Sequence, residues 1–284
     1  MSREGGFRAR LRAVVHPVDL LAILAVPAIL GLVFTLPTPA RESLALSTAE
    51  PTVVSAYSAH FVHLDSSHLL GNLAVYGLTV PTAYLLATLG DCRRGFVVPF
   101  VAVLLSFPWI LSALHLALGT PGRVLGSSGL NMAFVGTLPL FAAVYLSRLD
   151  GDVRLDHAPA LFFAGAAVIA FRLVPTDPAR GVLTAAAGAV ALTFAGYAWR
   201  GMSSETILEL AGRSVEFELV AGGVVVFFLA VVMGFPETPA GSDGVVGVYT
   251  HALGYAAGFV STYVVLRIDD PTRQAPPPPD ERPE

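Results

Sequence analysis

The sequence predicts an all-α protein that crosses a membrane several times, and three observations carry that prediction. Hydrophobic residues make up 54% of the 284 and charged residues only 13%, about half the charge of a typical water-soluble domain. Mean hydropathy is +0.68. Apolar stretches long enough to cross a bilayer, which takes about 20 helical residues, recur along the chain with mostly short connections. Backbone groups in hydrocarbon must be hydrogen-bonded within their own segment, so each crossing reads as a helix.

The elements follow in order. Residues 1–18 form a basic tail (Arg3, Arg8, Arg10, Arg12) with no clear small-residue cleavage site after it, so 19–36 reads as a retained first span. Residues 37–67 make a long loop rich in Ser, Thr, Pro and His. The second to fourth spans are expected at 68–88, 95–118 and 128–146. The fifth, 158–175, carries Arg172 near its end, where a long side chain can reach the interface. The sixth is 181–198. A polar linker at 199–217, with Arg213 and Glu216, leads to the seventh and eighth spans at 218–235 and 248–267. The tail, 268–284, with its Pro276–Pro279 run, reads as disordered. The whole of 19–267 is expected to form one helical bundle of about eight spans.

Arginine placement orients this bundle. With the N-terminus inside, only Arg41, Arg123, Arg172 and Arg180 of the 17 basic residues fall outside, which puts both termini in the cytoplasm. A net charge of −4 gives no basic surface for nucleic acid. The single cysteine, Cys92, cannot pair within the chain and reads as a bystander thiol. No internal repeat of the kind that marks many transporters is visible.

Three polar patterns interrupt the apolar stretches, where an unpartnered polar group is costly. His68 and Asn72 lie four residues apart at the start of the second span. Gly126-Ser127-Ser128-Gly129 opens the fourth. His251, Gly254 and Gly258 share one stripe of the eighth. The fourth and eighth spans run in the same direction, so Ser128 and His251 fall at similar depth in the outer half of the membrane. Small residues let helices approach closely, and Gly136, on nearly the same face as Ser128, matches the glycines of the eighth span. A serine hydroxyl becomes a nucleophile when a base takes its proton, and a neutral imidazole serves near pH 7. The oxyanion formed on a peptide carbonyl needs fixed donors, for which the Asn72 amide, the His68 ring and the Ser128 backbone N–H are candidates.

These patterns resemble the rhomboid family of intramembrane serine proteases: a histidine and an asparagine on the second span, GxSG on the fourth and HxxGxxxG on the last core span. The resemblance covers roughly 19–146 and 218–267. It implies a six-helix core, with Ser128 as nucleophile, His251 as base, and His68, Asn72 and Ser128 around the oxyanion. Gly126, Gly129, Gly136, Gly254 and Gly258 would support the packing. His63 matches a further family histidine of structural role. The resemblance implies no metal and no cofactor. Its partners are the lipid bilayer and transmembrane protein substrates, and the expected location is the cell membrane of a prokaryote, with 218–235 as lateral gate and 236–247 as cap loop.

Three departures stand out. Three spans rather than one separate serine and histidine, consistent with an inserted hairpin at 158–198. The Trp-Arg pair often found in the first outside loop is missing from 37–67. Met132 stands where the family usually has an aromatic that stacks on the base. His60, His63 and His68 could suggest a metal site, but their spacing favours interfacial or structural roles. Two rival readings are a non-proteolytic rhomboid-like protein that binds membrane clients, and a transporter whose polar path is lined by His68, Asn72 and His251.

Overall fold

A computed structural model describes residues 3–119, 122–149, 153–173, 178–201, 214–235 and 244–269. All eight expected spans fall on helices within it. They are α2 (Pro17–Phe34), α5 (Ser66–Leu89), α6 (Arg93–Leu118), α7 (Ser128–Leu149), α8 (Ala158–Leu173), α9 (Pro178–Gly201), α10 (Ser214–Gly234) and α11 (Gly244–Ile268). The protein is therefore an all-α polytopic membrane protein.

Seven of the eight are long and apolar enough to cross a bilayer; the exception is α11. Its 25 residues suffice in length, but His251, three tyrosines, two threonines and its glycines dilute its apolar content. α11 lies along α7 and along α6, so protein rather than lipid covers much of its surface.

The N-terminal basic tail takes up regular structure. Residues Arg3–Val14 form a helix, α1. Arg10 ties it to the bundle by donating to the Leu89 carbonyl at 2.6 Å and pairing with Asp91 at 3.5 Å. The loop 37–67 contains two short helices, α3 (Thr38–Leu44) and α4 (Val53–Ser58), and a two-residue strand, β1 (Leu46–Ser47). This strand pairs antiparallel with β2 (Arg123–Val124), Leu46 opposite Val124 and Ser47 opposite Arg123. The first loop is thereby fastened to the approach to Ser128. The expected linker and cap loop fall largely on 202–213 and 236–243, and the tail on 270–284, all outside the described residues.

The bundle is built around α7, which touches α5, α6, α8, α10 and α11. Of its span, 89% is buried, against 6% for α9, so α7 is the axis of the fold and α9 lies at its edge. The hairpin α8–α9 docks through α8. Phe162 stacks on Tyr255 and Phe259 of α11 at 4.7 and 4.2 Å, and the Tyr255 hydroxyl donates to the Phe162 carbonyl at 2.7 Å.

Two helix prolines show how the membrane constraint is met. A proline lacks the N–H that would bond the carbonyl four residues earlier. Pro27 leaves the Ile23 carbonyl and Pro108 the Leu104 carbonyl without that partner. Tyr76 donates to the first at 2.8 Å and Tyr57 to the second at 3.0 Å. Each freed backbone acceptor is satisfied by a hydroxyl from a neighbouring element, as a medium without water demands.

Arg41 plays a comparable part for the first loop. Its guanidinium donates to the carbonyls of His63 and Leu64 at 2.8 and 3.2 Å and lies 4.6 Å from the Phe34 ring centroid. A single arginine thus anchors the loop that lacks a Trp-Arg pair.

Candidate active site

The serine sits at a helix start. Ser128 is the first residue of α7, and the first helical bond runs from Asn131 N–H to the Ser127 carbonyl at 2.9 Å. The N–H groups of a helix's first turn have no partners within the helix and carry partial positive charge. Ser128 is half-buried. The turn before it requires glycine: Gly126 has φ +106°, and a methyl there would lie 2.7 Å from His68 Cε1. Its N–H donates to the Ala59 carbonyl at 2.9 Å. The first glycine of the motif therefore makes room for the His68 ring beside the serine's own loop.

Close approach of α7 and α11 places His251 near this turn. Methyl groups added at Gly254, Gly258 and Gly136 would collide with the carbonyls of Gly129, Ala133 and Tyr255, respectively. A methyl on Gly129 would meet Leu111 and Thr250. The two backbones are thus in contact at Gly129 and Gly254, one residue after Ser128 and three after His251. Among the described residues, no hydrogen bond joins the Ser128 hydroxyl to the imidazole.

His251 is oriented from a different helix. Its Nδ1 donates to the Gly234 carbonyl at 2.6 Å. A carbonyl can only accept, so in the neutral ring the proton resides on Nδ1 and Nε2 is bare. The Phe235 ring packs edge-on against the imidazole, 5.7 Å between centroids at 86°. Met132 makes its contact elsewhere: its sulfur fills the space over Gly234. The aromatic neighbour that position 132 does not supply thus comes from the end of α10. Neither Gly234 nor Phe235 was singled out by sequence. The available signal was the Gly234-Phe235-Pro236 helix stop a short loop before His251.

The second-span pair sits in a polar network at the start of α5. Asp65 caps α5, accepting from His68 N–H and from the Ser67 hydroxyl at 2.7 Å each. The Ser67 hydroxyl bond, then the His68 N–H bond, hold the Asp65 carboxyl below its usual range. Asn72 is buried. Its amide nitrogen donates to the His68 carbonyl and to His63 Nε2, each at 3.1 Å, and its side-chain oxygen accepts from Asn131 at 2.9 Å. The His68 carbonyl fixes the amide orientation, because only N–H can face it. Both Asn72 N–H groups are thus engaged, and in this arrangement Asn72 braces the site rather than presenting a donor to an oxyanion. The His68 ring is half-buried, 4.9 Å from the His63 ring, and forms no hydrogen bond among the described residues.

Further polar groups gather at this end. His60 Nε2 meets the Ser112 hydroxyl at 3.0 Å, which donates to the Ala56 carbonyl at 2.6 Å. His115 Nε2 meets the Thr250 hydroxyl at 2.7 Å. Burial first, and neighbouring histidines second, push His60 and His63 down to about 4. Both are neutral at physiological pH. His60 and His63 are committed to Ser112 and Asn72 rather than facing a shared centre.

No protein-family model, curated protein or solved structure matches the chain.

Proposed function

We propose that the chain is a rhomboid-like serine endopeptidase that cuts transmembrane or juxtamembrane peptide bonds of other membrane proteins. The observation that carries this reading is the Nδ1–H bond from His251 to the Gly234 carbonyl, which leaves Nε2 bare beside a helix that begins with a serine. Such a nitrogen is the acceptor a serine nucleophile requires.

In this reading the Ser128 oxygen attacks the scissile carbonyl carbon while its proton passes to His251 Nε2. The Gly234 carbonyl keeps the resulting imidazolium in place. Negative charge on the former carbonyl oxygen meets the free N–H groups at the start of α7 and the ring N–H of His68. Collapse of the intermediate breaks the C–N bond, and Nε2 returns the proton to the leaving amine. Water then attacks the acyl-serine, with His251 again accepting and returning a proton, and the serine is restored.

Substrate preference follows from helix physics. A helical carbonyl is hydrogen-bonded and shielded, so a segment must unwind before it is cut. Substrates with Gly or Pro near the cut are therefore favoured. Arginine bias supports placing the site in the outer half of the membrane, with both termini in the cytoplasm.

The reading is tested by cleavage of a transmembrane substrate in vesicles by the wild type, Ser128→Ala and His251→Ala. Both variants are expected to lose about 10³-fold or more in rate. Full activity in Ser128→Ala overturns the proposal. Solute flux that persists in Ser128→Ala would favour the transporter instead.

A further inference from the structure

Arg172 lies on α8 of the hairpin that separates the serine and histidine helices, in an apolar stretch where a guanidinium is expensive to keep. Its Nε donates to the Phe235 carbonyl at 2.6 Å. That carbonyl belongs to the residue just past the end of α10, adjacent to the Gly234 carbonyl that accepts from His251. Carbonyls at a helix C-terminus lack donors within the helix and carry partial negative charge, so a cation there is favourable.

The last residues of α10 are consequently held from three sides. Arg172 of α8 takes one carbonyl and His251 of α11 takes the next. Met132 of α7 covers Gly234, whose Cα has no side chain to keep it away. Phe235 is fully buried and its ring rests against the imidazole. A shift of this short terminus would move the acceptor of the Nδ1 proton and the ring that packs against the base together.

We propose that Arg172 is a positioning residue: by holding the α10 terminus it keeps the Gly234 carbonyl on Nδ1 and so locks His251 in the tautomer whose Nε2 is bare. The inserted hairpin is then part of the machinery that prepares the base. The catalytic consequence rests on the proposed protease reading; the tautomer lock itself does not.

The experiment is nitrogen NMR of the full chain in detergent micelles with ¹⁵N-labelled histidine, the His251 signals being assigned by their loss in His251→Gln. The wild type is expected to show a single neutral form, protonated on Nδ1. Arg172→Met keeps the apolar stem and loses the donor, and is expected to show both tautomers in exchange. Arg172→Lys keeps a cationic donor and is expected to retain the single form. Should Arg172→Met not fold, Arg172→Leu, which also lacks a donor, takes its place with the same expectation. A His251 spectrum unchanged by loss of the donor, or a wild type with bare Nδ1, overturns the proposal.

Fluorophosphonate labelling of the same samples reads the protease proposal separately. Absence of labelling in the wild type defeats that reading while the NMR result still decides the lock. If both hold, labelling of Ser128 slows about tenfold in Arg172→Met, in proportion to the fraction of competent tautomer.

Discussion

The two ends of the bundle solve the problem of polar groups near lipid in opposite ways. At the Ser128 end the side chains packed around the serine helix are mostly neutral (His60, His63, His68, His115, His251, Asn72, Asn131, Ser112, Ser127 and Thr250), while charged Arg41, Asp65 and the Arg123–Glu42 pair lie in the flanking loops. Among the described residues, three buried atoms there have no hydrogen-bond partner, namely Ser127 Oγ, His63 Nδ1 and His115 Nδ1. At the other end the groups are charged and paired. Buried Asp19 receives two bonds from Arg93 at 2.6 and 2.7 Å and a third from the Tyr84 hydroxyl at 3.0 Å. Arg148 and Arg10 both pair with Asp91, and Arg267 pairs with Asp156 and with the Tyr263 hydroxyl.

A satisfied charge network fixes helices relative to one another and leaves nothing to react. A neutral network with spare donors and acceptors is poorer glue, yet it can take up and pass protons. The difference suits the charged end to fastening and is consistent with the proposal that the neutral network serves chemistry.

This contrast can be broken by substitution. The largest effect after removal of the dyad itself is expected from Gly254→Val, which drives a side chain into the Gly129 carbonyl and parts α7 from α11. Labelling of Ser128 is expected to fall at least about tenfold, with a stability loss of about 1–3 kcal/mol. Unaltered labelling would mean that helix approach does not set the site.

Next comes pH. His60 and His63 stay neutral in the folded state down to about 4, whereas an ordinary imidazole takes a proton near 6.5. Below 6.5 the unfolded chain therefore binds protons that the folded chain refuses. Stability is expected to fall as pH drops from about 6.5 to about 4, by on the order of a few kcal/mol, and to gain no further slope from these groups below that. Unfolding midpoints in detergent across this window check it. His63→Gln is expected to make the slope shallower, and an unchanged slope would contradict the assignment.

The smallest effect belongs to the charged end. Arg93→Gln removes the ion-pair partner of the Asp19 carboxylate; Arg93 is 42% exposed, so solvent screening keeps the loss of stability small. The labelling rate per folded molecule at Ser128 is expected to stay at the wild-type value. A parallel loss of labelling would show that the two ends are coupled.

How far the sequence foretold this depends on the kind of contact. Residues whose message lies in their own helix were readable. The stripe of His251, Gly254 and Gly258 announces a face that lets a neighbour come close, and the i, i+4 spacing of His68 and Asn72 announces a shared side. What opposes such a face is set by tertiary packing, and there the sequence was silent. The acceptor for His251 is a backbone carbonyl, which leaves no mark on residue identity. Met132 suggested a missing aromatic, yet Phe235 occupies the neighbourhood of the ring from another helix. Asn72 was read as a donor to the oxyanion, while its surroundings engage both its N–H groups. The basic tail gave no sign that Arg10 would find the Leu89 carbonyl and that α1 would dock.

Activation of the Ser128 hydroxyl by His251 Nε2 is read out by the rate of fluorophosphonate labelling, with the modified residue located by mass spectrometry. A single adduct on Ser128 is expected in the wild type, with a rate lower by about 10²-fold or more in His251→Ala. Labelling at another residue, or an equal rate without the imidazole, would contradict it.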